Sequence, residues 1–288
     1  MSKSRILLIG WSSEVGLNLL KILDINSLGL NSTTNIDLYL HRKDLVNPDP
    51  KKFNTLGINE LGNYCFDIII SIAPIWKSYL LIKDLNIVSS GYLLFISSTS
   101  VYNKSKQGSN QSKSYYSLFL SGERSIIDFS KKRNLKYCIL RPTIIWGINS
   151  GSIFNLINFY SRFKVVIKVG TPNGLRQPLY SLDLAKYIFF ALKCRIVGIH
   201  NITGQRKLSF DEIYNLISNS LYLKVIKLPY LPLKIISKVI DYIFKTCFFD
   251  YISRQFTDQV FNHSESFKDV IRNTKDLDED SIRLINKT

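Results

Sequence analysis

The hydrophobic pattern of the chain begins with Ile6-Leu7-Leu8-Ile9, an apolar run too short for a helix, followed by Val15, Leu19, Leu20 and Leu23 at helical spacing. A strand, a tight turn and a helix are therefore predicted over residues 5–23. Further apolar blocks predict strands at 36–40, 66–72, 91–96 and 136–140. Amphipathic stretches between and after them predict helices at about 79–87, 115–132, 153–163, 183–192, 209–221 and 233–244. The segment 47–62, with Pro48 and Pro50, reads as loop with one poorly defined short element, and the polar tail from Asp258 as partly ordered. Strands and helices alternating at this pitch imply a doubly wound parallel α/β sheet whose ligands lie beyond the carboxyl ends of the strands.

Composition narrows the classes. With 288 residues and 45% apolar content the chain can bury a sizeable core and is not disordered. No apolar run reaches the roughly 18 to 20 residues of a membrane span, and no cleavage pattern follows Met1-Ser2-Lys3-Ser4, so a soluble cytoplasmic protein is expected, with no membrane partner. Cys65, Cys138, Cys194 and Cys247 lack metal-ligand spacing, which predicts reduced, mostly buried thiols and no metal site. The net charge of +16 is spread along the sequence, so it fits an anionic small ligand better than nucleic acid.

The candidate chemistry starts at the first turn. Gly10 and Gly16 allow a tight turn and a closely packed helix, so the N–H groups around Ser12, Ser13 and Val15 can meet a pyrophosphate. Ser13 occupies the place of the middle glycine in the G-x-x-G-x-x-G spacing. The second strand ends in His41-Arg42-Lys43, where an acid would select NAD and an arginine NADP; the basic end favours NADP, although it also suits an ordinary solvated loop.

Six landmarks occur in order: the Gly10 turn, the Phe66-Asp67 strand with Ala73 after it, Phe95-Ile96-Ser97-Ser98-Thr99-Ser100-Val101-Tyr102, Leu140-Arg141-Pro142 with Gly147, Arg176 seven residues before Asp183-Leu184-Ala185, and Asn201-Ile202-Thr203-Gly204. Over roughly residues 5–215 the chain resembles the extended short-chain dehydrogenase/reductases, the group of NAD-dependent nucleotide-sugar epimerases and dehydratases. The resemblance implies a Rossmann-like core from residues 1–147 plus 180–203, and a smaller, mostly helical substrate lobe from 148–179 plus 204–288. It places Ala73 and Pro142 beside the cofactor and Arg176 on a nucleotide diphosphate, for which Asn155 is a second substrate contact. A structural arginine paired with Asp183 is the competing use of Arg176, and Asp183 is expected to cap the helix it opens.

The same resemblance implies a Ser or Thr that polarises the reacting oxygen, a Tyr base, and a Lys four residues later that lowers the phenol pKa. Ser98 takes the hydroxyl position, with Thr99 as a neighbouring candidate. Counting back eight residues from Glu123 gives Tyr115, yet the lysine position holds Phe119. An ammonium from Lys104 is the first substitute; a different acid/base, or binding of the dinucleotide without turnover, are the others. The leading expectation is an NAD(P)-dependent oxidoreductase acting on a nucleotide-linked sugar. Its rival is a regulatory NAD(P)-binding protein of the same fold. The apolar stripe near the C-terminus can serve the core, the substrate cleft or a homodimer face.

Overall fold

The structure is a computed structural model that describes residues 4–23, 36–41, 45–102, 110–149, 151–233, 237, 252–271 and 274–287. Its centre is a seven-stranded sheet, built from β1 (Ser4–Ile9), β2 (Ile36–His41), β3 (Asn54–Leu56), β4 (Cys65–Ser71), β5 (Asn86–Ile96), β6 (Lys136–Pro142) and the later strand Gly198–Ile202. Every pairing is parallel. In space the order runs from Gly198–Ile202 through β6, β5, β4 and β1 to β2 and β3, so the winding reverses between β1 and β4. That reversal opens a crevice at the carboxyl ends of those two strands.

The continuous apolar runs follow from two-sided burial, because successive strand residues face opposite sides of the sheet. Ile6, Leu8, Ile68, Ile70, Leu94 and Leu140 share one core with helices α1 (Glu14–Ile22) and Ser181–Cys194. Leu7, Ile9, Ile69, Leu93, Phe95 and Ile139 share the other with α2 (Ile75–Ile82) and α3 (Asn110–Lys132). Each face therefore needs its own helical layer.

Beyond β6 come the two-residue strand β7 (Ile145–Trp146), α4 (Ser152–Phe163), β8 (Val165–Val169), β9 (Leu175–Arg176) and β10 (Leu179–Tyr180). They are followed by α5 (Ser181–Cys194), β11 (Gly198–Ile202), β12 (Leu208–Ser209), α6 (Phe210–Ser220), β13 (Lys224–Leu228) and α7 (Glu279–Lys287). A third core joins Trp146, Ile153, Ile157, Tyr160, Val166, Ile213, Ile217, Ile282 and Ile285 from β7, α4, β8, α6 and α7.

Several sequence expectations are corrected. The segment 79–87 is not one helix, since α2 ends at Ile82 and β5 begins at Asn86. The region 47–62 contains β3 and most of a 3-10 helix, Ile58–Asn63. β13 has no counterpart in the pattern reading, because its first four residues are exposed and give no buried alternation. Asp183 does not cap its helix: the cap is Tyr180, without a side-chain bond, and the fully buried carboxylate accepts from Lys186 Nζ and the Lys275 N–H. Of the described thiols Cys138 is buried, whereas Cys65 and Cys194 are exposed; Cys247 lies outside the described residues. The expected helix at 233–244 also falls mostly outside them.

Candidate functional site

The crevice between β1 and β4 is floored by the first turn. Gly10 has φ +82°, and a Cβ there would stand 2.7 Å from the Ala73 nitrogen, so the turns after β1 and β4 can approach this closely only with glycine. Ser13 is the N-cap of α1: its Oγ donates to the Gly10 carbonyl at 2.8 Å and accepts from the Gly16 N–H at 3.1 Å. A hydroxyl has thus taken over the place of the middle glycine by capping the helix. Ser12 is exposed on the turn, while the Val15 side chain is buried in the core below it.

Two further residues of this turn were not singled out from the sequence. Trp11 is buried, and its indole N–H donates to the His41 main-chain oxygen at 3.1 Å, joining the turn to the end of β2. Arg42 lies outside the described residues. Glu14, in the first turn of α1, accepts from the Ile148 N–H at 2.8 Å, the Asn149 N–H at 2.9 Å and Ser181 Oγ at 2.8 Å. It ties the start of α1 to the turn after β7 and to the start of α5. Gly147 makes room for it, because a Cβ there would fall 2.3 Å from Glu14 Oε1.

At the end of β5 the hydroxyl run divides. Ser97 is buried and donates to Glu123 Oε1 at 2.5 Å, and Thr99 is buried with its Oγ1 donating to the Pro142 carbonyl at 3.2 Å. Ser98 is half-buried, donates to Ser100 Oγ at 3.0 Å and accepts from the Ser100 N–H at 3.1 Å. Among the described residues its hydroxyl therefore engages its near neighbour Ser100. Glu123, 2% exposed, also receives Arg141 through two nitrogens, at 2.9 and 2.5 Å. Burial works to lower the Arg141 pKa, but the Glu123 carboxylate outweighs it and holds the guanidinium above its ordinary value. Arg141 further donates to Tyr102 Oη at 2.7 Å, and Tyr102 donates to Asn201 Oδ1 at 3.1 Å.

The backbone of Tyr115 lies in α3, but its side chain and the whole of Lys104 are outside the described residues. Phe119, where the resemblance implies a lysine, packs edge-on against Trp76 at the start of α2, with ring centroids 4.9 Å apart and planes at 88°. An aromatic pair thus occupies a position where an ammonium was sought.

In β9, Arg176 is 4% exposed. Its guanidinium donates to the carbonyls of Leu175, Thr257 and Arg254 at 2.7, 2.7 and 2.6 Å, and lies 4.7 Å from the Phe210 ring centre. Burial pushes its pKa down to about 10, the nearby Arg254 charge adding to the effect and Asp258 opposing it. The Arg176–Asp183 pair considered from the sequence does not form among these bonds. Arg254 itself is exposed, while Asp258 accepts the Leu175 N–H at 2.8 Å. Both belong to a strap, residues 252–264, which also places the Phe261 N–H on Gln177 Oε1 at 2.8 Å and stacks the Phe261 ring on Tyr102 at 5.3 Å. Nothing local in the sequence marks this strap, since its partners lie about eighty positions away. Asn155 stands exposed in the first turn of α4, its N–H on the Gly151 carbonyl. Among the described residues no cluster of metal-binding side chains occurs.

The sheet order and the crevice are those of a Rossmann-like, doubly wound α/β fold. Solved structures of sugar-nucleotide epimerases and a dehydratase share that fold over nearly the whole chain. A dTDP-glucose 4,6-dehydratase from Streptomyces venezuelae, with NAD bound, matches at TM-score 0.69 and 13% identity, covering 98% of this chain and 97% of its own. UDP-N-acetylglucosamine 4-epimerase from Bacillus cereus matches at TM-score 0.64 and 14% identity, covering 99% and 96%. UDP-glucose 4-epimerase from Thermus thermophilus, in complex with NAD, matches at TM-score 0.65 and 13% identity, covering 98% of each chain. No family model and no curated protein matches the sequence.

Proposed function

We propose that the protein is an oxidoreductase that binds a nicotinamide dinucleotide and acts on a nucleotide-linked sugar, in the manner of an epimerase, reductase or dehydratase. The observation that carries this reading is the crevice at the winding reversal. Gly10 brings backbone against backbone there, and Ser13 caps α1 without adding bulk to the turn. These residues fit a pyrophosphate at the start of α1, with Ala73 and Pro142 at neighbouring strand ends. The basic His41-Arg42-Lys43 end of β2 favours NADP over NAD. The cofactor would supply the hydride chemistry.

The chain's own residues divide the remaining work. Ser98 would hold the reacting oxygen, and Tyr115 would exchange its proton. Arg254, exposed beside a buried arginine, would meet the substrate diphosphate. Arg176 would act one step behind, by holding the strap that carries Arg254. Asn155 would contact the sugar-nucleotide from α4.

A second reading, dinucleotide binding without turnover, is favoured by the Phe119–Trp76 pair. Fluorescence titration with NADPH and NADH, followed by incubation with a panel of nucleotide sugars, separates the two. Binding with turnover supports the enzyme, and binding without turnover of any sugar supports the second reading. If neither dinucleotide binds, both are wrong. Arg42→Ala should weaken NADPH far more than NADH, and equal weakening removes the NADP preference.

A further inference from the structure

β8 and β13 form a two-stranded parallel ribbon apart from the central sheet. β13 buries little: Val225 is 38% and Ile226 48% exposed, with Tyr222 at 87% just before the strand and Leu231 at 71% just after it. The end of α4 lies beside this strand, because Ser161, Lys164, Tyr222 and Leu223 line one open cavity of about 440 Å³ and Val165 pairs with Lys224. Phe159 and Phe163, whose rings are 4.7 Å apart, are also about half exposed there. Aromatic and aliphatic side chains are thus exposed along one edge of the molecule.

The charge along that edge is mostly positive, with one carboxylate, Asp211, ion-paired to Lys168 of β8 at 2.8 Å. Residues 152–168 and 221–240 contain no Asp or Glu, while Arg162, Lys164, Lys224 and Lys227 are exposed among the apolar side chains. In a two-fold dimer such a face would meet its own positive charge. Against nucleic acid its aliphatic side chains would gain little. Exposed apolar side chains interleaved with lysine and arginine are the pattern of an interfacial, anionic-lipid-binding surface.

We propose that the α4–β8–β13 edge seats the protein on an anionic lipid surface. Tyr222, Ile226 and Leu231 enter the headgroup boundary, and Arg162, Lys164 and Lys224 pair with lipid phosphates. Ile226 and Lys224 share the face of β13 opposite the one that pairs beside buried Val166 and Lys168. No spanning helix is needed, so the inference goes beyond the sequence expectation of no membrane partner, which rested on the absence of a span.

The test is flotation of the full chain with vesicles of phosphatidylcholine alone and of phosphatidylcholine mixed with phosphatidylglycerol. The protein should float with the anionic vesicles, and less so as salt is raised. Ile226→Asp combined with Leu231→Asp should lower partitioning about tenfold, as should Lys164→Glu combined with Lys224→Glu. A charge-matched control, Lys51→Glu with Lys52→Glu on the exposed loop before β3, should stay within about twofold of the parent. All these side chains are exposed, so unchanged circular dichroism melting would certify folding. The proposal is overturned if nothing floats, if the control loses binding equally, or if sedimentation shows a dimer that Ile226→Asp dissolves.

Discussion

Arg176 and Arg254 show how far burial separates two residues of the same type. The Arg176 guanidinium is committed to three carbonyls, and Arg254 stays exposed beside it. Arg176→Ala should therefore act on stability, by about 3 kcal/mol in urea unfolding, because buried carbonyls lose their donor. Arg254→Ala should leave the unfolding midpoint nearly unchanged and, on the proposed function, raise the KM for a nucleotide-sugar substrate about tenfold, the worth of one charge-assisted contact. His263 supplies a pH prediction. It accepts the Thr203 N–H at 3.1 Å, and burial pushes its pKa down to about 4, although the Glu265 charge opposes that shift. In the unfolded chain the imidazole takes up its proton near pH 6.5. The unfolded state thus binds more protons between those values, so this contribution to stability is complete above about pH 6.5 and is lost as pH falls toward 4. Urea midpoints measured from pH 7.5 down to 5 should show the loss, and His263→Asn should flatten it.

The first turn and α1 act as one element. Ser13→Ala should cost about 1 kcal/mol, the usual value of a lost N-cap, and Ser13→Gly less. Gly16→Ala should cost more, since its Cβ would lie 2.4 Å from the Trp11 carbonyl oxygen. Glu14 extends the element outward. Glu14→Ala leaves the Ile148 and Asn149 N–H groups and Ser181 without their acceptor, and about 2 kcal/mol of stability should go with it. Differential scanning calorimetry of the single variants would rank these effects. A Glu14→Ala protein as stable as the parent would show that the tie between α1 and the turn after β7 contributes nothing.

For the molecule as a whole, the ends of β5, β6 and β11 meet the strap across Tyr102, which touches Arg141, Asn201 and Phe261. Tyr102→Ala should loosen the strap and make residues 252–264 exchange amide hydrogens faster, while the central sheet keeps its protection. The two-sided burial of β1, β4, β5 and β6 was legible as apolar runs, because a strand covered on both faces has no polar positions. The Gly10 turn, the hydroxyl run and Arg141 were legible through their order along the chain. By contrast β3 and β13 escaped, being short or exposed and therefore without periodicity.

The sequence by itself determined the alternation of strand and helix, the position of the crevice turn, and which residue types stand at the strand ends, since these follow from local spacing. Tertiary structure alone decided their partners. It buried Thr99 and Ser97 while leaving Ser98 half-exposed, set Phe119 against Trp76, turned Glu14 toward the turn after β7, and brought the strap onto Arg176. Each of those outcomes depends on groups far apart in sequence, and whether a polar atom faces a ligand or a carbonyl is settled only when the chain has packed around it.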